Sequence, residues 1–88
     1  MKKLGEYLKM FENQPVAVFC MRYCYRGRLT EIGDGFIVLS EVHAVEQTGP
    51  ASGAKATLED PIPSDVIIKT DVIEIVCQPA WCWDGFKK

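Results

Sequence analysis

Residues 25–39 read Tyr-Arg-Gly-Arg-Leu-Thr-Glu-Ile-Gly-Asp-Gly-Phe-Ile-Val-Leu, and their reading decides the fold. The pattern predicts two strands joined by a tight turn. Tyr25, Gly27 and Leu29 share one face of the first strand, and Arg26, Arg28 and Thr30 share the other. Gly33-Asp34-Gly35 supplies the turn, and a second strand begins at Phe36. Gly27 stands inside a strand, where it calls for a sharp bend or a close approach of backbone. Small barrels need such bends in order to close.

Working outward, Leu4, Tyr7, Leu8 and Phe11 fall at i, i+3, i+4 and i+7, which predicts a helix over residues 2–13 with one apolar face. Asn13 is an end signal and Pro15 bars continuation. Strands are expected at 16–21, 23–32, 36–47, 65–69 and 72–76. In the third, Phe36, Val38, Val42 and Ala44 alternate against Ile37, Leu39, Glu41 and His43, with Ser40 as a break. Between the third and fourth strands, residues 48–64 carry Gly49, Pro50, Gly53, Pro61 and Pro63, which reads as a long exposed loop. Pro79 ends regular pairing, so the chain divides into a domain over 1–78 and an aromatic tail over 79–88 containing Trp81, Trp83 and Phe86.

The 88 residues allow one domain, and 48% of them are apolar, which argues against disorder. A chain this short buries only about 60–65% of the surface its unfolded form exposes, so a partner subunit is a natural supplement. Ten basic and twelve acidic residues leave a net charge of −2, which counts against nucleic-acid binding driven by overall charge. No apolar run approaches the roughly 20 residues of a membrane helix. Glu6, Lys9 and Glu12 interrupt any signal-peptide core, so the expected compartment is the cytoplasm, with Cys20, Cys24, Cys77 and Cys82 reduced.

One helix, then five strands with a bent second strand and a short final pair, resembles the Sm-like family, which includes the Sm and LSm proteins and the RNA chaperone Hfq. The residues that carry the resemblance are Asn13-Gln14-Pro15-Val16-Ala17-Val18, Gly27-x-Leu29 with Asp34-Gly35-Phe36-Ile37-Val38-Leu39, and Ile68-Lys69-Thr70-Asp71-Val72-Ile73. The spacing is nearer that of Hfq, so the chain resembles a divergent, bacterial-type member of the family. The resemblance implies a mostly β fold: an N-terminal helix and a strongly bent five-stranded antiparallel small barrel of the SH3-like kind. It also implies single-stranded RNA binding near a pore through Asp34, Phe36 and Lys69. Val38 stands where the family's base-reading Asn would be, and Thr70 replaces the Gly or His that follows the basic position.

In Sm-like rings strand four of one subunit pairs with strand five of the next. The resemblance therefore implies a homo-oligomeric ring of about five to seven subunits, with Val66, Ile68, Val72, Ile73 and Ile75 at the subunit interface. Short apolar edge strands are templates for such pairing. The leading expectation is a non-enzymatic ring acting as a scaffold or interaction module for another protein. The alternative is an RNA chaperone or small-RNA protein of the Hfq or LSm kind. Arg22, Arg26 and Arg28 form a candidate basic patch, set against a solvated or salt-bridged face. In a meander the Arg22 turn falls at the end opposite Lys69, which splits the positive charge. The tail aromatics Trp81, Trp83 and Phe86 either pack on the barrel or dock a partner. The Cys20-x-x-x-Cys24 and Cys77-x-x-x-x-Cys82 spacings are longer than a zinc knuckle, so buried thiols are expected and no metal. His43 has no catalytic companions in the sequence, and neither a catalytic residue nor a cofactor is expected.

Overall fold

The structure, a computed structural model, describes residues 3–86. Residue 2 of the expected helix and residues 87 and 88 of the expected tail lie outside them. A short helix α1 (Leu4–Leu8) tightens into a 3₁₀ turn (Lys9–Phe11) and leads into β1 (Pro15–Cys20). Then follow β2 (Cys24–Ile32), β3 (Phe36–Gln47), β4 (Leu58–Pro61), β5 (Val66–Lys69) and β6 (Ile73–Cys77). The tail forms a 3₁₀ turn over Ala80–Trp83. The expected class holds: a mostly β fold with an N-terminal helix and a bent antiparallel barrel.

The strand order is β4-β3-β2-β1-β6, and β5 pairs with the first half of β3. Val16, Val18, Leu29, Ile37, Leu39, Val42 and Ile68 fill the interior. The helix contributes Leu8 from above, with Phe11 packed beside it, whereas Leu4 and Tyr7 are about half exposed, at 51% and 50%. The helix is therefore held by two of its four apolar positions. Its exit is fixed by Asn13, whose φ of 63° is one that Asn tolerates better than most residues. The Asn13 N–H donates to Leu29 O at 2.7 Å and the Leu29 N–H donates to Gln14 O at 2.9 Å, which locks the start of β1 onto β2.

The bend expected at Gly27 is built from two strands. Arg26 pairs with His43 and Arg28 with Ser40, so β3 carries one residue more than β2 at this point. The surplus is a bulge at Glu41, which adopts φ 56°. A Cβ on Gly27 would lie 2.9 Å from Ser40 O and 3.2 Å from a Val42 methyl, so only glycine lets the strands approach here. The bulge also corrects the expected alternation. It sits at Glu41 rather than Ser40, and it turns Val42 inward with Ile37 and Leu39.

The expected loop over 48–64 contains a strand. β4 pairs with the second half of β3, Val45 opposite Glu59 and His43 opposite Pro61. The physical reason is the length of β3: twelve residues cannot all pair with the four of β5. Pro61 and Pro63 lack N–H donors and split what would be one long strand into β4 and β5. The chain stays on the β3 ladder between them, since the Ile62 N–H donates to Val42 O at 2.8 Å.

The close approach at Gly27 makes a direct prediction. Gly27→Ala forces its methyl against backbone rather than against a movable side chain, and should destabilise the fold by about 1–3 kcal/mol in urea unfolding. An unchanged midpoint would show that the bend has slack.

Candidate functional site

The turn between β2 and β3 is held by three features. Gly35 has φ +82°, the Gly33 N–H donates to Phe36 O at 2.9 Å, and the Thr70 N–H donates to Gly35 O at 3.0 Å. The last bond ties this turn to the one between β5 and β6. Phe36 and Lys69 are register partners across β3 and β5. A Cβ on Gly33 would fall 2.2 Å from the Phe36 ring, so the half-buried ring lies directly over the glycine. Phe36 and Lys69 line a shallow groove of about 440 Å³ with Gly35, Ile67, Thr70 and Asp71. Asp34 lines the adjoining hollow of about 420 Å³, where Lys3 and Lys9 of the helix region face the turn. The three residues singled out by resemblance thus sit at one end of the barrel, Phe36 and Lys69 together and Asp34 beside them. Val38 pairs with Ile67 and offers no polar group at the position where an Asn was sought.

The three arginines do not form a patch. Arg26 is 2% exposed and fully engaged. Its Nε donates to Glu59 Oε2 at 2.7 Å, Nη2 donates to Glu59 Oε1, and Nη1 donates to the backbone O of Asp84 at 2.8 Å. The Asp84 carboxylate adds a longer ion pair at 3.7 Å. Hydrogen bonding from Arg26, and then its charge, holds the Glu59 carboxyl below the usual range against the opposing effect of burial. Arg28 is half-buried and its guanidinium pairs with Glu41 at 3.1 Å. Only Arg22, at the turn between β1 and β2, is left as a groove cation, and its place differs from the expected one. The barrel bends so far that Arg22 and Lys69 line the same groove of about 430 Å³. Straight strands in a meander would put the two at opposite ends; the bend brings them together.

That groove is apolar, and it identifies surface residues that the sequence reading passed over. Met21 (80% exposed), Tyr23 (63%) and Ile67 (71%) line it beside Tyr25, Val66 and Val72. Tyr23 and Tyr25 lie 6.3 Å apart between ring centroids. Of the expected interface residues, Val72 and Ile75 are exposed, whereas Ile68 is 5% exposed and Ile73 and Val66 pack against the core. Ile68 is therefore a core residue opposite Ile37, and Ile67 takes the outward place. Among the described residues, β5 pairs only with β3 and β6 only with β1, so each keeps one open edge.

The tail folds back onto the outside of the sheet. Trp81 and Cys82 are buried with Ala17, Cys24 and Val45, and Trp83 packs beside them. Trp81 meets Phe19 edge-on, with centroids 6.3 Å apart and planes at 74°. Phe86 is half-buried next to Trp83 and residues of the 48–57 connection. The four cysteines are thiols rather than disulfides. Burial first, and the nearby Cys77 and Cys20 second, push the Cys24 thiol up to about 12, which makes it a poor nucleophile. Among the described residues no three His, Cys, Asp or Glu side chains converge on a metal-sized site. His43 lies opposite Arg26 and Pro61, with its Nδ1 buried and without a hydrogen-bond partner. No helix among the described residues is long and apolar enough to cross a membrane.

The chain superposes on an Sm protein of Pyrococcus abyssii, solved in complex with a uridine heptamer, with a TM-score of 0.63 over 86% of this chain and 97% of that one. The fold is Sm-like. The two sequences are 13% identical, so the match carries the fold and not the roles of individual residues. No family model and no curated protein sequence matches the chain.

Arg26 yields a second prediction. Arg26→Ala strands the Glu59 carboxylate against the sheet and should cost about 3–5 kcal/mol in chemical unfolding. The paired Glu59 carboxyl also fixes a sign for pH. Its folded value lies below the ordinary 4.5, so its contribution is complete above that value and fades as pH falls through the folded one. Glu59→Gln should flatten this acid limb of the stability profile. A limb unchanged in the variant would assign the acid sensitivity to other carboxylates.

Proposed function

We propose that this chain is a non-enzymatic subunit of a homo-oligomeric ring of about five to seven copies, closed by pairing β5 of one copy with β6 of the next. The observation that carries the reading is the pair of open edges. An unpaired strand edge flanked by exposed Ile67, Met21 and Tyr23, and another carrying exposed Ile75, are complementary surfaces on one subunit. Each is a liability alone and a docking surface when met by the other. With a chain this small, the buried area missing from one subunit is supplied by its neighbours.

The ring binds single-stranded RNA at the Phe36–Lys69 end. Phe36 offers an aromatic surface held over Gly33, Lys69 offers a cation for phosphate on the paired strand, and Asp34 stands next to them. The uridine heptamer bound by the Pyrococcus abyssii Sm protein supports this choice of ligand. A second reading, in which the ring is a scaffold for another protein, is favoured by Val38 at the base-reading position and by the engagement of Arg26 and Arg28 within the chain. Four thiols fit the reducing cytoplasm as the working compartment.

Native mass spectrometry of gently purified protein should show a single ring species, and Ile67→Asp should release folded monomers. A wild-type monomer at micromolar concentration contradicts the ring. In an oligouridine titration, Phe36→Ala should weaken binding by about tenfold, the scale of one lost stacking contact. Lys69→Ala should lower the salt slope by about 0.7 for each phosphate contact removed. Intact rings that ignore oligouridine and oligoadenine at micromolar concentration would leave the scaffold reading in place.

A further inference from the structure

Ring closure would engage the open edges of β5 and β6 and would leave a whole layer of the molecule without a task. That layer is the tail together with the 48–57 connection, laid across the outside of the sheet. It begins where β6 ends. The Gln78 side-chain Nε2 donates to Gln14 Oε1 at 3.0 Å and to Pro15 O at 2.9 Å, which anchors the tail at the start of β1. Trp81 then lies on Ala17 and Phe19 of β1. Asp84 O accepts from Arg26 of β2, and the same guanidinium holds Glu59 of β4 by two bonds. The Ala80 N–H donates to Ala51 O at 2.8 Å, so the connection is fastened to the tail as well. The path therefore runs from one docking edge, β6, over β1 and β2, to β4, which leads without leaving β3 into the other docking edge, β5.

None of these contacts is needed for strand pairing, since the ladder already joins β6 to β1 and β4 to β3. They add a second link between the two edges, outside the sheet. Its centre is a part-buried ion pair in which one guanidinium makes two directed bonds to Glu59 and a third to Asp84 O, so β2, β4 and the tail are held in one relative placement. Subunit number in a closed ring is set by the rotation between one docking surface and the other. Sheets twist over a wide range of angles between neighbouring strands, so pairing alone leaves that rotation loosely specified.

We propose that the tail is a strap that fixes the angle between the β5 and β6 edges, with Arg26 as its positioning residue, and so selects the number of copies in the ring. The proposal rests on the ring reading. Its test is the subunit number of the full-length chain and of the double variant Arg26→Met with Glu59→Gln, which removes both charges together and leaves neither stranded. Wild type should give one subunit number by native mass spectrometry. The double variant should give a shifted or mixed number, or open assemblies, while its far-UV circular dichroism stays that of a β protein. Glu59→Gln alone leaves Arg26 both its bond to Asp84 O and its ion pair with the Asp84 carboxylate, so it should show a smaller spread, and it is the deciding variant if the double one loses its fold. A variant that melts earlier but keeps the single wild-type number overturns the strap and leaves the ring standing. A monomeric wild type overturns the ring itself, so the two failures are distinguishable.

Discussion

Everything in this molecule depends on the crossing of β2 and β3 at Gly27, where the absent side chain lets the Ser40 carbonyl come within a distance no Cβ could tolerate. The bulge at Glu41 answers it from the facing strand. Together they let one twelve-residue strand serve two purposes. Its first half closes the barrel against β5, and its second half turns away to pair with β4. Straight strands would give an open sheet with an uncovered apolar face. The bend instead wraps Val16, Val18, Leu29, Ile37, Leu39 and Val42 around a common centre.

The same bend distributes charge and exposure. It carries the Arg22 turn round until Arg22 shares a groove with Lys69, and it leaves the outer face of β1 and β2 to be covered by Trp81 and Cys82. Arg26 sits at the border between the covered and the open parts of that face. An arginine in mid-strand with Arg28 two places on looks like half of a basic stripe. The difference between them comes from residues far along the chain: Glu59 and Asp84 arrive over Arg26, while Arg28 meets only Glu41 at the surface.

What the sequence made legible follows from this. The hairpin at residues 25–39 and the final strand pair were readable because period and turn chemistry agree there, and those elements settle the fold. β4 was not readable, because Leu58-Glu59-Asp60-Pro61 has no apolar alternation and includes a proline. Only the need of β3 for partners calls it into a sheet. The outward place of Ile67 was hidden for the opposite reason. Val66, Ile67 and Ile68 are all apolar, so nothing in the pattern says which one faces the core. At the candidate site, resemblance alone puts forward Phe36, Lys69 and Asp34, and the pairing of Phe36 with Lys69 sets two of them side by side. The burial of Arg26 and the nearness of Arg22 to Lys69 needed three dimensions.

The two prolines between β4 and β5 have a consequence for how the protein behaves in a crowded cell. A single strand running from Leu58 to Lys69 would offer a visiting segment a ribbon of backbone about three times as long as β5. Pro61 and Pro63 cut that ribbon short, so an incomer can zip onto four residues at β5 before it reaches positions without donors. A strand of about the length of β6, five residues, is as much as so brief a berth can hold. Longer β segments of unfolded chains cannot use their full length there, and four residues fall short of the six or seven that a cross-β zipper stacks.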